Sequence, residues 1–189
     1  MPGDLNSLVL SHLVLKQHIK EGDFCIDATA GRGRDTAYYC SLVGETGRVL
    51  AFDIQQAALD STAQLLEQEG YTSRTTLILD SHSNMASYAA PGSVDAIGFN
   101  FGWLPGGDRR IFTMPESSIP AINAGLELLR VGGLMCLGIY YGKESGFAER
   151  DGLLAFLPTL DYRKYTVMET HFCNRPNNPS ISVVIVKDE

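Results

Sequence analysis

The sequence predicts an α/β protein: a doubly wound, mostly parallel sheet with helices on both faces and an antiparallel pair of strands at its C-terminal end. Three observations predict it. Short apolar runs stopped by Gly or Asp alternate with segments of helical periodicity, the pattern of a parallel sheet covered on both sides. The last two runs, 162–172 and 181–187, are separated by the turn-rich Asn174-Arg175-Pro176-Asn177-Asn178-Pro179 and read as an antiparallel pair. The 189 residues, 44% hydrophobic and 20% charged, are the size and balance of a single domain spanning 1–189, with no internal repeat or linker-like stretch.

Leu5, Leu8, Val9, His12, Leu13 and Val14 recur at helical spacing, which predicts an amphipathic opening helix over 4–20, ended by Gly22. Phe24 to Thr29 is a buried strand running into a glycine turn. Residues 34–43 are helical, and Arg48 to Asp53 is a second strand. A helix over 55–69 is closed by Gly70, and Thr75 to Asp80 is a third strand. Val94 to Phe99 is a fourth. After a Gly/Pro-rich loop (102–115) come a helix over 117–130, a fifth strand from Gly133 to Tyr140, and a helix near 147–157.

Composition narrows the function classes. Fifteen Lys+Arg against 22 Asp+Glu give a net charge of −7, so contact with a polyanion requires a local basic patch. Cys25, Cys40, Cys136 and Cys173 form no CxxC and have no His placed to complete a zinc set, so free thiols, no metal centre and a reducing, cytoplasmic setting are expected. Asp4 and the lack of a basic n-region argue against a signal peptide. The longest apolar run, Val131 to Tyr141, is far short of the roughly 18–20 residues of a membrane span.

The strongest chemical signal is Asp27-Ala28-Thr29-Ala30-Gly31-Arg32-Gly33-Arg34-Asp35-Thr36, between the first strand and the helix that follows. Glycines there let the backbone turn tightly and approach a ligand, at the place where open α/β sheets bind ligands. Asp53 closes the second strand, where a carboxylate can take both hydroxyls of a ribose. Asp80, Ser81 and His82 end the third, where an adenine edge can be read, although His82 fits the target side as well. A nicotinamide fingerprint needs a third glycine where Thr36 stands. Asp27 would also repel a diphosphate, but it would attract the α-ammonium of a methionine moiety, directly or through water. S-adenosylmethionine fits better than a dinucleotide, and the antiparallel tail agrees.

The chain resembles the YtqB-like family of small methyltransferases, long labelled rRNA methylases, whose characterised members methylate tRNA. The carriers are the Asp27–Thr36 segment, Ala51-Phe52-Asp53-Ile54-Gln55, Asp80-Ser81-His82, the stretch from Asn100-Phe101-Gly102-Trp103 to Asp108, and Asn177-Asn178-Pro179. The resemblance implies a Rossmann-like class I fold, S-adenosylmethionine as cofactor, a tRNA anticodon loop as partner and a homodimer. The implied reaction is N-methylation of 5-aminomethyluridine at the wobble position, giving 5-methylaminomethyluridine. Ribosomal RNA and a small-molecule amine are the alternative acceptors.

Residues then fall into three sets. Asp27, Thr29, Gly31, Gly33, Asp35, Thr36, Asp53, Ile54, Gln55, Asp80, Ser81, His82 and Asn100 are expected at the cofactor. Asn100, Gly102 and Trp103 are expected at the transfer itself. Trp103, Pro105, Gly106, Asp108, Arg109, Tyr140, Tyr141 and Asn177 are expected at the acceptor.

The residues themselves support an amine acceptor. Asn100 ends the fourth strand beside the first, and an amide oxygen accepts an amine hydrogen and so turns its lone pair. Trp103, the sole tryptophan, either stacks a base or anchors its loop. Asp108 either caps a turn or touches substrate. Tyr140-Tyr141-Gly142 departs from the Tyr-His-Gly common in related sequences, which puts a catalytic histidine there in doubt. Arg32, Arg34, Arg109, Arg110, Lys143 and Arg175 fall in loops at one rim, a candidate phosphate-binding cluster in an otherwise acidic chain. His12 and His18 read as surface or interface residues.

Overall fold

The computed structural model describes residues 5–104, 106–107, 110–142 and 144–189. Its strands are Phe24–Asp27 (β1), Arg48–Asp53 (β2), Thr75–Leu79 (β3), Val94–Phe101 (β4), Leu129–Ile139 (β5), Tyr165–Thr170 (β6) and Ile181–Lys187 (β7). They form one seven-stranded sheet in the order β3-β2-β1-β4-β5-β7-β6. The first five are parallel, while β7 enters antiparallel between β5 and β6. Strand order reverses between β1 and β4, which makes their carboxyl ends the expected ligand crevice.

Alternate side chains divide two cores. Ile26, Ile97, Met135 and Leu137 face helices Pro115–Leu128 (α4) and Glu144–Phe156 (α5), meeting Ile122, Leu126 and Leu153. Cys25, Ala96, Leu134 and Cys136 face the other way, onto Leu15 of Ser7–His18 (α1), Tyr39 and Val43 of Arg34–Val43 (α2) and Leu66 of Gln56–Glu69 (α3). The predicted doubly wound architecture is therefore the observed one. No helix among the described residues is long and apolar enough to cross a membrane.

Three expectations need correction. The opening helix does not bury the residues expected of it: Ser7, Ser11 and Leu15 form its buried face, while Leu13 is 55% exposed. Small side chains let α1 lie close on β5 and β7, where Ser7 bonds Ser180 and Ser11 bonds Ser182 at 3.4 Å. The fifth strand starts at Leu129, not Gly133. Leu129 pairs with Val94 and Leu134 with Ala96, so residues 130–133 are an irregularity inside the strand, with Gly132 at φ +75°. The helix expected over 117–130 is accordingly Pro115–Leu128, with Pro115 in its first turn, where a fixed φ suits the geometry.

Candidate active site

Two cavities open at the carboxyl ends of β1 and β4. The first, about 210 Å³, is lined by Asp53, Ile54, Gln55, Asp80, Ser81 and His82, and also by Thr113 and Ser117. The second, about 650 Å³, is lined by Leu8, Arg32, Arg34, Asp35, Tyr140 and Tyr141, and also by Asn178 and Ser180. Thr29, Gly31, Asn100, Gly102, Trp103 and Leu104 line both. They form a shared wall.

The glycine turn closes on its own side chains. Thr29 N donates to Asp27 Oδ1 (3.1 Å), Thr36 Oγ1 donates to Asp27 Oδ2 (2.5 Å), and Gly31 N donates to Asp53 Oδ2 (3.0 Å). Gly31 holds φ +56°, and a Cβ there would stand 3.3 Å from Leu104 Cδ1. At Gly33 a Cβ would meet Thr62 Cα at 2.9 Å, so that glycine serves the packing of α2 on α3.

Asp27, Gly33 and Thr36 line neither cavity. Asp27 is 0% exposed, and direct contact with a ligand gives way to action through its field. Burial and the neighbouring Asp35 push its pKa up to about 7.

Along the first cavity, Asp53 Oδ1 also accepts from Gln55 N (2.9 Å), and burial raises its pKa. Asp80 is gripped by Asn84 Nδ2 (2.8 Å), Tyr88 OH (2.9 Å) and Ser81 N (2.7 Å), which lower its pKa. Ile54 is 58% exposed at the rim. The carbonyl of Ala28 can only accept, so His82 Nδ1, 3.3 Å away, carries the ring proton. Burial lowers the His82 pKa, and Nε2 is left as a buried acceptor with no partner among the described residues.

At the junction Asn100 N donates to Thr29 Oγ1 (2.7 Å), and Asn100 Nδ2 donates to Asp35 Oδ2 (2.6 Å). A carboxylate only accepts, so the amide orientation is determined and Oδ1 is its remaining acceptor. Gly138, directly opposite on β5, leaves room for that oxygen; a Cβ there would stand 3.0 Å from it.

Asp35 Oδ1 is bonded by His12 Nε2 (2.8 Å), whose ring stacks on Tyr38 with centroids 4.0 Å apart. His12 is therefore an inner partner of the site rather than a surface residue. Helical spacing showed where on α1 it lies, but not what the helix packs against.

Gly102, at φ +142°, donates its N–H to Thr113 Oγ1 (2.7 Å), and Trp103 bridges antiparallel to Phe112. Thr113 Oγ1 donates to Glu149 Oε2 (2.7 Å), while Ser118 Oγ donates to Oε1 (2.6 Å). Burial raises the Glu149 pKa, and the two hydroxyls oppose that shift. Neither Thr113 nor Glu149 carried a sequence signal.

At the second cavity Tyr140 is half-buried, and that desolvation raises its pKa, while Tyr141 packs edge-on against Phe147 with Arg150 over its ring at 4.7 Å. Asn178 and Ser180 line the second cavity; Asn177 does not. Gly106 lines neither cavity but lies beside Arg32, whose Nη2 would be 2.9 Å from a Cβ there. Of the predicted rim cations, Arg32 and Arg34 line the second cavity, and Arg175 instead bonds the Leu5 carbonyl. Pro105, Asp108, Arg109 and Lys143 lie outside the described residues.

Residues 49–186 match the family described as "Putative rRNA methylase". A chloroplastic tRNA (mnm(5)s(2)U34)-methyltransferase of Arabidopsis thaliana is 34% identical over 179 residues, covering 90% of this chain; the chain spans 65% of that relative's length. A Clostridium thermocellum crystal structure described as a "putative rRNA-methylase" superposes with a TM-score of 0.95 at 46% identity, covering 97% of this chain and 98% of that one. A Streptococcus mutans protein described as "a putative methyltransferase", crystallised with SAH, gives 0.87 at 35% identity, again covering 97% and 98%. The chain belongs to this rRNA-methylase family and has the class I methyltransferase fold.

Proposed function

We propose that the chain transfers a methyl group from S-adenosylmethionine to the 5-aminomethyl nitrogen of a wobble uridine in tRNA. The observation that carries the reading is the wall shared by two cavities, with Asn100 at its centre. The fit to the cofactor rests on the unpartnered His82 Nε2, on the carboxylates ending β2 and β3, and on the bare backbone at Gly31. Asp53 would hold the ribose, Asp80 to His82 the base, and the turn from Thr29 to Gly31 the methionine portion, in the field of Asp27. When bound, the cofactor supplies an electrophilic methyl on a sulfonium.

The chain's own residues handle the acceptor. An alkyl amine is mostly protonated near pH 7 and must lose that proton to attack. Apolar Leu8, Phe101, Trp103 and Leu104 around the second cavity disfavour the charged form. Asn100 Oδ1 takes an N–H and orients the lone pair, while Asp35 holds the amide in place. Such positioning supplies rate by presenting reacting atoms about 3–3.5 Å apart. Arg32 and Arg34 at the second mouth would meet RNA phosphates.

The test uses the purified chain, methyl-labelled cofactor and tRNA carrying unmethylated 5-aminomethyluridine. Nucleoside mass spectrometry should show 5-methylaminomethyluridine. Absence of label in tRNA while the cofactor is bound overturns the tRNA reading, and label in rRNA or a small amine instead moves the activity to that acceptor.

A further inference from the structure

Glu149 lies outside both cavities yet is 1% exposed, one of two buried carboxylates among the described residues. A buried carboxylate is costly, so what it holds matters. Its oxygens join three parts of the chain: Ser118 of α4, Thr113 at the end of the loop that follows β4, and α5, which carries it.

Proton counting makes the linkage directional. Thr113 Oγ1 accepts the Gly102 N–H at 2.7 Å, and its single proton goes to Glu149 Oε2 at 2.7 Å, much nearer than its other acceptor, Gly102 O at 3.4 Å. Thr113 N in turn donates to Gly102 O at 3.0 Å, and the next pair inward is Trp103 with Phe112. The base of the loop bearing Trp103 is thus closed by backbone bonds and anchored from below by one carboxylate. Gly102 and Trp103 belong to the wall between the cavities, so the anchor sets the position of that wall.

We infer that Glu149 is a positioning residue for methyl transfer, acting through Thr113 and Gly102 to hold Trp103 between donor and acceptor cavities. The inference rests on the function proposed above, but its test does not depend on activity. Trp103 is the only tryptophan in the chain, so fluorescence excited at the red edge of the indole band, where the eight tyrosines do not absorb, reports the position of this loop.

Thr113→Val, which keeps the volume and loses the hydroxyl, should red-shift Trp103 emission and raise its quenching by acrylamide about twofold or more. It should lower kcat by about 10²-fold, the scale of a small misplacement at a reacting centre, a loss that Glu149→Ala, outside both cavities, should give with cofactor affinity within about threefold of wild type. Glu149→Ala should behave alike. Thr113→Ser and Glu149→Gln, which keep a hydroxyl and an acceptor, should recover most of both signals.

Wild-type Trp103 emission and quenching in folded Thr113→Val overturns the inference. So does a Thr113→Ser variant as impaired as Thr113→Val. If Glu149→Ala does not fold, the two Thr113 variants decide the question. If wild-type protein methylates no amine, the functional reading fails while the fluorescence still judges the anchor.

Discussion

The two cavities are built in opposite ways. The first is lined mainly by strand ends, each shaped by its sequence neighbours, as Asp53 bonds Gln55 N and Asp80 bonds Ser81 N. The second is made by segments distant in sequence, Leu8 of α1, Asp35 of α2, Tyr140 after β5 and Asn178 in the tail. Local geometry shapes each strand end with its own turn, and the parallel sheet sets those ends side by side as a nucleoside site. An acceptor site needs walls from several elements, because it must be shaped to a target rather than to a shared cofactor.

The division is open to test, and the largest effect falls on the shared wall. Asn100→Ala should cut methyl transfer by about 10²–10³-fold while calorimetry finds cofactor affinity within about threefold, because positioning is lost while Asp53, Asp80 and His82 of the first cavity are kept. A comparable loss of affinity would show that the two cavities are energetically one.

Next in size is Gly31→Val. A branched residue at φ +56°, with its Cβ 3.3 Å from Leu104, cannot keep the turn. Cofactor affinity should fall by about 10²-fold, read by the same calorimetry, with acceptor-side substitutions leaving it unchanged.

Asp27 predicts a smaller, pH-dependent effect. Its pKa of about 7 in the fold lies above the usual carboxylate value. Between about pH 4 and pH 7 the folded state therefore retains a proton that the unfolded state has lost, and this group's contribution lowers stability as pH rises through that window. An α-ammonium favours the ionised carboxylate, so cofactor affinity should rise about tenfold from pH 6 to pH 8. Asp27→Asn should flatten that profile; a flat profile in the wild type would detach Asp27 from the cofactor.

The smallest effects belong to the second mouth. Arg32→Ala and Arg34→Ala should each weaken tRNA binding about threefold and reduce its salt slope by about one, measured by titration at several salt concentrations. Binding indifferent to salt would remove phosphate contacts from the account.

Particular residues show where sequence reasoning reached and stopped. The helix over 34–43 and the strand over 48–53 were expected at their observed bounds, since a glycine turn and an apolar run mark them locally. The leucines of α1 misled, because the helix packs on a sheet that accepts its serines. His12 and Glu149 were out of reach for a related reason: each gains its meaning from a partner on another element, Asp35 in one case and Thr113 in the other.

Alternating strands and helices, carboxylates at strand tips and glycines in a turn are written in short stretches of chain, because backbone periodicity and turn chemistry act over a few residues. From them alone came the parallel sheet, its antiparallel tail and the crevice where a nucleoside would sit. Which carboxylate would line a cavity and which would vanish beneath it, what turns the Asn100 amide, and what anchors Trp103 were settled only when distant elements packed. A side chain's exposure and its hydrogen-bond partners belong to the packed chain, and no local pattern carries them.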